Sequence, residues 1–252
     1  MKIIDFHCHP GYDFYRQVHG VQIDNGLFFS DLSECGITRC CGSVINEAMC
    51  CQPVSEYEQI IPELNNRALR TAVESGGRYI PGIHIHPAFV RMSIERCHAL
   101  GVKLIGELVP YMMGWRDCAT NEFIEIMDCA ASYSMVVNIH PTSIPDMYAL
   151  SRAVPRLKLV WAHFSGYGGL EAHIDMLKSF PNVYFDISAH GTDLVGTLRK
   201  AIDCVGYDRL LFGTDYPGIG PASDIAAVMF EPLSDCEREA ICYKNASRLL
   251  DI

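Results

Sequence analysis

Short runs of β-branched, aromatic and aliphatic residues alternate with stretches of helical period from one end of the chain to the other. The apolar runs fall at 2–7, 37–45, 79–84, 102–108, 135–140, 157–163, 183–187 and 209–214, and each reads as a strand. Between them the spacing predicts helices at about 25–35, 55–75, 90–100, 121–133, 143–154, 170–180 and 193–205, with two more after the last strand. Gly36, Gly76-Gly77 and Gly101 act as helix stops, and Ser143 with Pro145 opens a helix. Ser55-Glu56-Tyr57-Glu58 and Ser234-Asp235-Cys236-Glu237 have the form of capping boxes, and Pro62 is expected to bend or restart the helix that contains it. The strand runs are almost continuously apolar, as strands covered on both faces must be. No linker or low-complexity tract breaks the alternation, so one domain is expected over 1–252. A βα unit repeated eight times in 252 residues fits a (β/α)8 TIM barrel. A doubly wound open sheet would call for GxGxxG after the first run, and there is none.

In a parallel barrel all C-terminal strand ends share one rim, so residues distant in sequence converge there. His7 and His9 follow the first run, His84 and His86 the third, Glu107 ends the fourth, His140 and His163 end the fifth and sixth, and Asp215 follows the eighth. His7 and His9, two apart, point to one face of a strand and can grip one ion. A single such histidine reads as packing. Together with Asp215 the clustering reads as a shared metal site, whereas His19, His98 and His173 scatter over helices and loops. His84 reads equally as a packed core residue, and His86, in HIHP, is assigned to substrate contact, with a plain turn as the alternative. The loop VPYMMGWRDCAT is aromatic and Met-rich for a connection and is expected to cover something. Tyr111, Met112 and Trp115 are wall candidates there, set against simple packing on a neighbouring helix, and Arg116 reads first as a surface residue; His190 is a further rim candidate.

A formal charge of −10 opposes a basic surface, so nucleic acid is not an expected partner and a small-molecule substrate is. No apolar run is long enough to span a bilayer, and the N-terminus enters a strand pattern at Lys2, so a cytoplasmic location and no membrane partner are expected. The 12 cysteines include no CxxC spacing and read as reduced thiols. Cys8 faces away from the histidines on either side of it.

DFHCHP, NIHP, WAHFSG, VYFDIS and LLFGTDYP, in that order at strand ends, resemble the amidohydrolase superfamily, most closely its amidohydrolase-related branch of metal-dependent hydrolases. The resemblance implies a divalent metal, with Zn2+ the first expectation, as one or two ions. It implies His7, His9, His140 and Asp215 as ligands, with His163 at the metal or beside the attacking water. A carboxylated-lysine bridge is not expected, because Lys103 stands at the start of the fourth strand and Glu107 at its end. Glu107, in IGELVPY, is similar to the strand-four glutamate of the TatD-type deoxyribonucleases, which implies a metal ligand or active-site base. Asp215, His163 and Glu107 are thus the catalytic candidates for hydrolysis of an amide, ester or lactone. A nonoxidative decarboxylase of the same branch is the alternative, with Arg16 or Arg116 as rim arginines. A TatD-like nuclease and a metal-stabilised binding module rank lower. A homodimer is the default assembly.

Overall fold

The structure, a computed structural model, describes residues 1–12, 23–46, 49–50, 52–89, 91–166, 169–189 and 191–252, with backbone only for 91–93. The expectations for Arg16, His19 and His190 fall outside these residues. Eight parallel strands pair in sequence order: β1 Ile4–Asp5, β2 Arg39–Ser43, β3 Tyr79–Ile83, β4 Leu104–Leu108, β5 Val136–Ile139, β6 Lys158–Trp161, β7 Val183–Asp186 and β8 Leu210–Leu211. The first and last strand regions close the ring. Phe6 N–H donates to the Phe212 carbonyl and Asp215 N–H to the His7 carbonyl, both at 2.8 Å, and Cys8 bridges Tyr216 in parallel. The fold is a (β/α)8 barrel.

The surrounding helices are α1 Asn25–Glu34, α2 Tyr57–Glu74, α3 Arg91–Ala99, α4 Asn121–Ser132, α5 Ile144–Ala153, α6 Gly169–Ser179, α7 Thr197–Val205 and α8 Pro221–Phe230. After α8, α9 (Asp235–Glu239) runs through a π turn, Ala240–Lys244, into α10 (Asn245–Leu250). Ser143 caps α5 and the Ser234–Glu237 capping box opens α9, as their sequences require. The lower interior of the barrel is one apolar layer. Ile4, Phe6, Cys41, Leu104, Val136, Val160 and Leu211, from six strands, pack on Ala246, Leu249 and Leu250 of α10. Lys103 and Lys158, at the starts of two strands, donate to the Asp251 and Leu249 carbonyls and so fasten the end of α10 beneath the barrel. The polar end must therefore be the opposite one.

Two irregularities of register aim side chains at that end. Ile4 and Phe6 lie in the interior layer, so strict alternation would turn His7 outward. Asp5 pairs with Cys40, but Cys8 already bonds the Cys41 carbonyl at 3.0 Å, so β1 carries an extra residue and His7 and His9 turn inward. In β4, Ile105 pairs with Val137 and Leu108 with Ile139, another extra residue, which swings Glu107 off the outer face that Ile105 shares with the helices. Gly106 makes this possible: at φ +96° it sits where any Cβ would run into the Asn138 carbonyl oxygen.

Three local expectations are corrected. The box at Ser55 does not form; a 3-10 turn, Val54–Glu56, precedes α2, whose first residue Tyr57 is anchored by its hydroxyl to the Met49 and Met112 carbonyls at 2.8 Å. Pro62 leaves α2 continuous, because Pro62 and Glu58, whose carbonyl loses its partner, both lie on the solvent side. The helix expected from 193 begins at Thr197, where the buried Glu231 carboxylate caps its free N–H groups from another element, accepting from Gly196 at 2.6 Å and Arg199 at 3.4 Å. Among the described residues no helix is long and apolar enough to cross a membrane.

Candidate metal centre

At the rim the structure brings a compact group of possible donors together. His7 Nε2 and His9 Nε2 lie 3.1 Å apart; Glu107 Oε2 is 3.3 Å from the first and 3.4 Å from the second; Asp215 Oδ1 is 3.7 Å and 3.3 Å from them. Donors held at 2.1 Å from one ion would be separated by about 3.4 Å at the corners of a tetrahedron. His7, His9 and Glu107 thus have the spacing of ligands to a single cation, with Asp215 Oδ1 beside both imidazoles. The other oxygen of Glu107 faces a second group: Oε1 is 3.0 Å from His140 Nδ1 and 3.4 Å from His163 Nε2, and those nitrogens are 3.2 Å apart. Both triads, His7–His9–Glu107 and Glu107–His140–His163, are buried and could hold an ion, and Glu107 belongs to both.

Outer partners set which nitrogen each ring offers. His9 Nδ1–H donates to the Ser43 carbonyl at 2.9 Å and His7 Nδ1–H to Asp186 Oδ2 at 3.0 Å, which leaves both Nε2 atoms facing the carboxylates. Ser188 Oγ donates to Asp186 Oδ1 and accepts from His163 Nδ1–H at 2.9 Å, leaving His163 Nε2 toward Glu107. Asp186 also accepts from Asn138 Nδ2 at 3.0 Å and from the His163 amide at 3.2 Å. This fully buried carboxylate is the hub that sequence reading passed over. VYFDIS carried it, yet an Asp at a strand end facing no free donor in sequence gives no hint that it orients histidines from two other strands.

The charge balance has the same logic. Burial works against ionised Glu107, but the His7 charge and hydrogen bonds from His140 and His163 hold its carboxyl well below the usual range. Burial likewise opposes protonation of His9, yet the hydrogen bonds it donates to Asp215 and Glu107 lift it to about 9; His7 rises well above its ordinary value against burial, through Asp186 and Glu107. Asp186, despite burial, is drawn down to about 2, chiefly by His7. Imidazole protons here balance buried carboxylates, a balance that a divalent cation also supplies while displacing those protons. Asp215 is the member open to solvent, with 30% of its side chain exposed against at most 10% for the other donors. His163 and Asp215 both have left-handed backbones, φ +61° and +62°, at the exits of β6 and β8.

The remaining expectations divide. His84 is buried, donates from Nε2 to the Val44 carbonyl at 2.8 Å and is pushed down to about 4 by burial. His86 is not gathered into the donor group: Nε2–H donates to the Met113 carbonyl at 3.2 Å, Nδ1 accepts from Ala88 N–H at 3.1 Å, and the ring stacks on Tyr57. Trp115 packs on Phe123 of α4 and Met112 is buried, so they serve as packing. Tyr111, 61% exposed, stands edge-on to His140 with ring centres 5.2 Å apart, and Arg116 is exposed.

The sequence model of the amidohydrolase family matches residues 55–252. No curated protein sequence matches the chain. Solved structures of the same fold include a 2,6-dihydroxybenzoate decarboxylase complexed with 2,6-dihydroxybenzoate, at TM-score 0.78 and 15% identity over 99% of this chain and 98% of that one. A dihydroxybenzoic acid decarboxylase from Polaromonas with bound manganese scores 0.74 at 14% identity, over 99% and 96%. A putative 2-pyrone-4,6-dicarboxylic acid hydrolase from Pseudomonas putida scores 0.74 at 16% identity, over 99% and 97%. At these identities the likeness is one of fold.

Proposed function

The chain belongs to the amidohydrolase family, and from that premise we propose that it is a metal-dependent hydrolase of a small-molecule amide, ester or lactone. The observation that carries the reading is the carboxylate of Glu107 shared between two buried donor triads. His7, His9 and Glu107, with Asp215 beside them, would hold one divalent ion, and Glu107, His140 and His163 could hold a second. Zinc suits this imidazole-rich set, although a similar structure carries manganese. A divalent metal there would supply Lewis-acid polarisation of the substrate carbonyl and would make the attacking water far more acidic than bulk water.

The chain's own groups do the rest. Asp215, open to the mouth, takes the proton from the attacking water and delivers it to the leaving nitrogen or oxygen. His163, its Nδ1–H held by Ser188, keeps Nε2 directed at the reacting group. Asp186 prevents His7 from rotating and fixes its tautomer.

A second reading is nonoxidative decarboxylation, favoured by the decarboxylases among the structures of like fold. There the carbon–carboxylate bond breaks, carbon dioxide leaves, and Asp215 supplies the proton that the carbon takes in its place. Metal analysis of the purified protein, with a substrate panel scored separately for acid release and carbon dioxide release, tests both. Acid release that vanishes with Asp215→Asn supports hydrolysis; carbon dioxide release with no acid formed replaces it by the lyase reading. A fully metal-free protein that also fails to take up added zinc or manganese sinks both.

A further inference from the structure

Arg67 of α2 lies half-buried with its guanidinium against Gly11, two residues beyond His9. A methyl group on Gly11 would come within 2.7 Å of Arg67 Cζ and 3.0 Å of Nε, and Gly11 adopts φ +72°. Glycine is thus needed twice here, for the turn and for the close approach of the guanidinium. The same turn is tied to the donor group: Tyr12 N–H bonds the His9 carbonyl at 3.2 Å, and the Tyr12 and His9 rings lie 5.9 Å apart.

Arg78, Arg156, Arg199, Arg209, Arg238 and Arg248 each donate to an oxygen of the chain. Among the described residues Arg67 makes no hydrogen bond or ion pair. Among the described residues the other half-buried arginine without one, Arg39, opens β2 at the far end of the barrel. A guanidinium offers five donors and loses hydration when half-buried, so leaving it unpaired is costly unless an anion completes it. The buried carboxylates of the donor group, Glu107 and Asp186, are already committed to imidazoles. In a chain of net charge −10, a guanidinium beside this mouth offers an anionic group a local attraction that the overall charge opposes.

We propose that Arg67 recognises a second anionic group on the substrate, remote from the group that meets the metal, which makes the substrate a small dicarboxylate. The inference rests on the metal site proposed above. Its planar fork suits a carboxylate held bidentately, and its position beside the His9 turn places that carboxylate at the edge of the mouth while the reacting group lies over the donors.

The test is calorimetric titration of the zinc-loaded protein with isophthalate and with 3-carbamoylbenzoate. Both present one carboxylate; they differ only in whether the second substituent is charged. The wild type is expected to bind isophthalate at least tenfold more tightly. Arg67→Met should bring the two within twofold of each other while metal content and melting temperature stay unchanged, and Arg67→Lys should keep part of the preference. If Arg67→Met does not fold, Gly11→Ala, which pushes the guanidinium off the turn without removing its charge, should lower the preference in its place. Equal binding of the two acids by the wild type, no binding of isophthalate, or an undiminished preference in folded Arg67→Met overturns the assignment. Binding of 3-carbamoylbenzoate with and without zinc reads the metal site separately: if zinc makes no difference to it, the metal reading fails on grounds that do not involve Arg67.

Discussion

Two segments of this barrel share the pattern His-x-His-Pro, HCHP at 7–10 and HIHP at 84–87, and both follow strands to the same rim, yet they come to opposite ends. His7 and His9 give Nδ1 to Asp186 and Ser43 and turn both Nε2 atoms toward Glu107 and Asp215; protonation of His9 is favoured up to about 9. His84 and His86 bond the carbonyls of Val44 and Met113, and both lose basicity through burial, His84 down to about 4. The difference lies in the neighbours. The end of β1 meets carboxylates from β4, β7 and the β8 exit, whereas the end of β3 meets backbone carbonyls and Asn65, which clasps both the amide and the carbonyl of His84. A histidine pair at a strand exit takes the arrangement of a cation site when carboxylates converge on it and of a structural clip when carbonyls do.

Mutation can break that comparison most sharply at the ligands. Removing one donor, as His9→Ala or Asp215→Ala, should strip the bound metal and abolish turnover, a larger loss than the ~10–100-fold that outer partners contribute. His84→Ala should keep full metal content. Metal analysis of the folded variants decides, and full occupancy in Asp215→Ala would falsify the ligand set. One step out, Asp186→Asn keeps the shape but presents an amide to His7 and Ser188. Metal affinity should drop ~10–100-fold, read by chelator competition; an unchanged affinity would mean His7 does not need its outer partner.

Smaller effects sharpen the other half. His84→Ala leaves the Val44 carbonyl without its donor and should cost about 1–3 kcal/mol in denaturant unfolding. The pH response carries the sign of the His84 shift. Its folded pKa, about 4, lies below the ordinary 6.5, so the unfolded chain binds the extra proton, and stability is full above 6.5 and declines as pH falls toward 4. Unfolding at stepped pH should show this loss in metal-free wild type, at no more than about 1.4 kcal/mol per pH unit, and a shallower limb in His84→Ala. Equal limbs would assign the acid sensitivity to another group.

Much was legible in the chain because barrels write their periodicity locally. The near-continuous apolar runs are demanded by strands covered on both faces, and Gly36, Ser143 and Ser234 cap helices through contacts within a few residues of themselves. The gathering of His7, His9, Glu107, His140, His163 and Asp215 was legible for the same reason, since a parallel barrel sends all its strand ends to one rim. What depended on partners far along the chain was not. Glu231 caps the start of α7 from the end of α8, and Asp186 orients histidines of β1 and β6 from β7. Arg67 reaches the His9 turn from the side of α2.

By itself the sequence determined eight βα units, one polar rim and the residues that stand on it, because strand and helix periods act over a few neighbours. Only the tertiary structure decided which way those residues face. A period of two carried upward from Ile4 and Leu104 points His7 and Glu107 outward, and the extra residue in each of β1 and β4, set by register against the adjoining strands, turns them in.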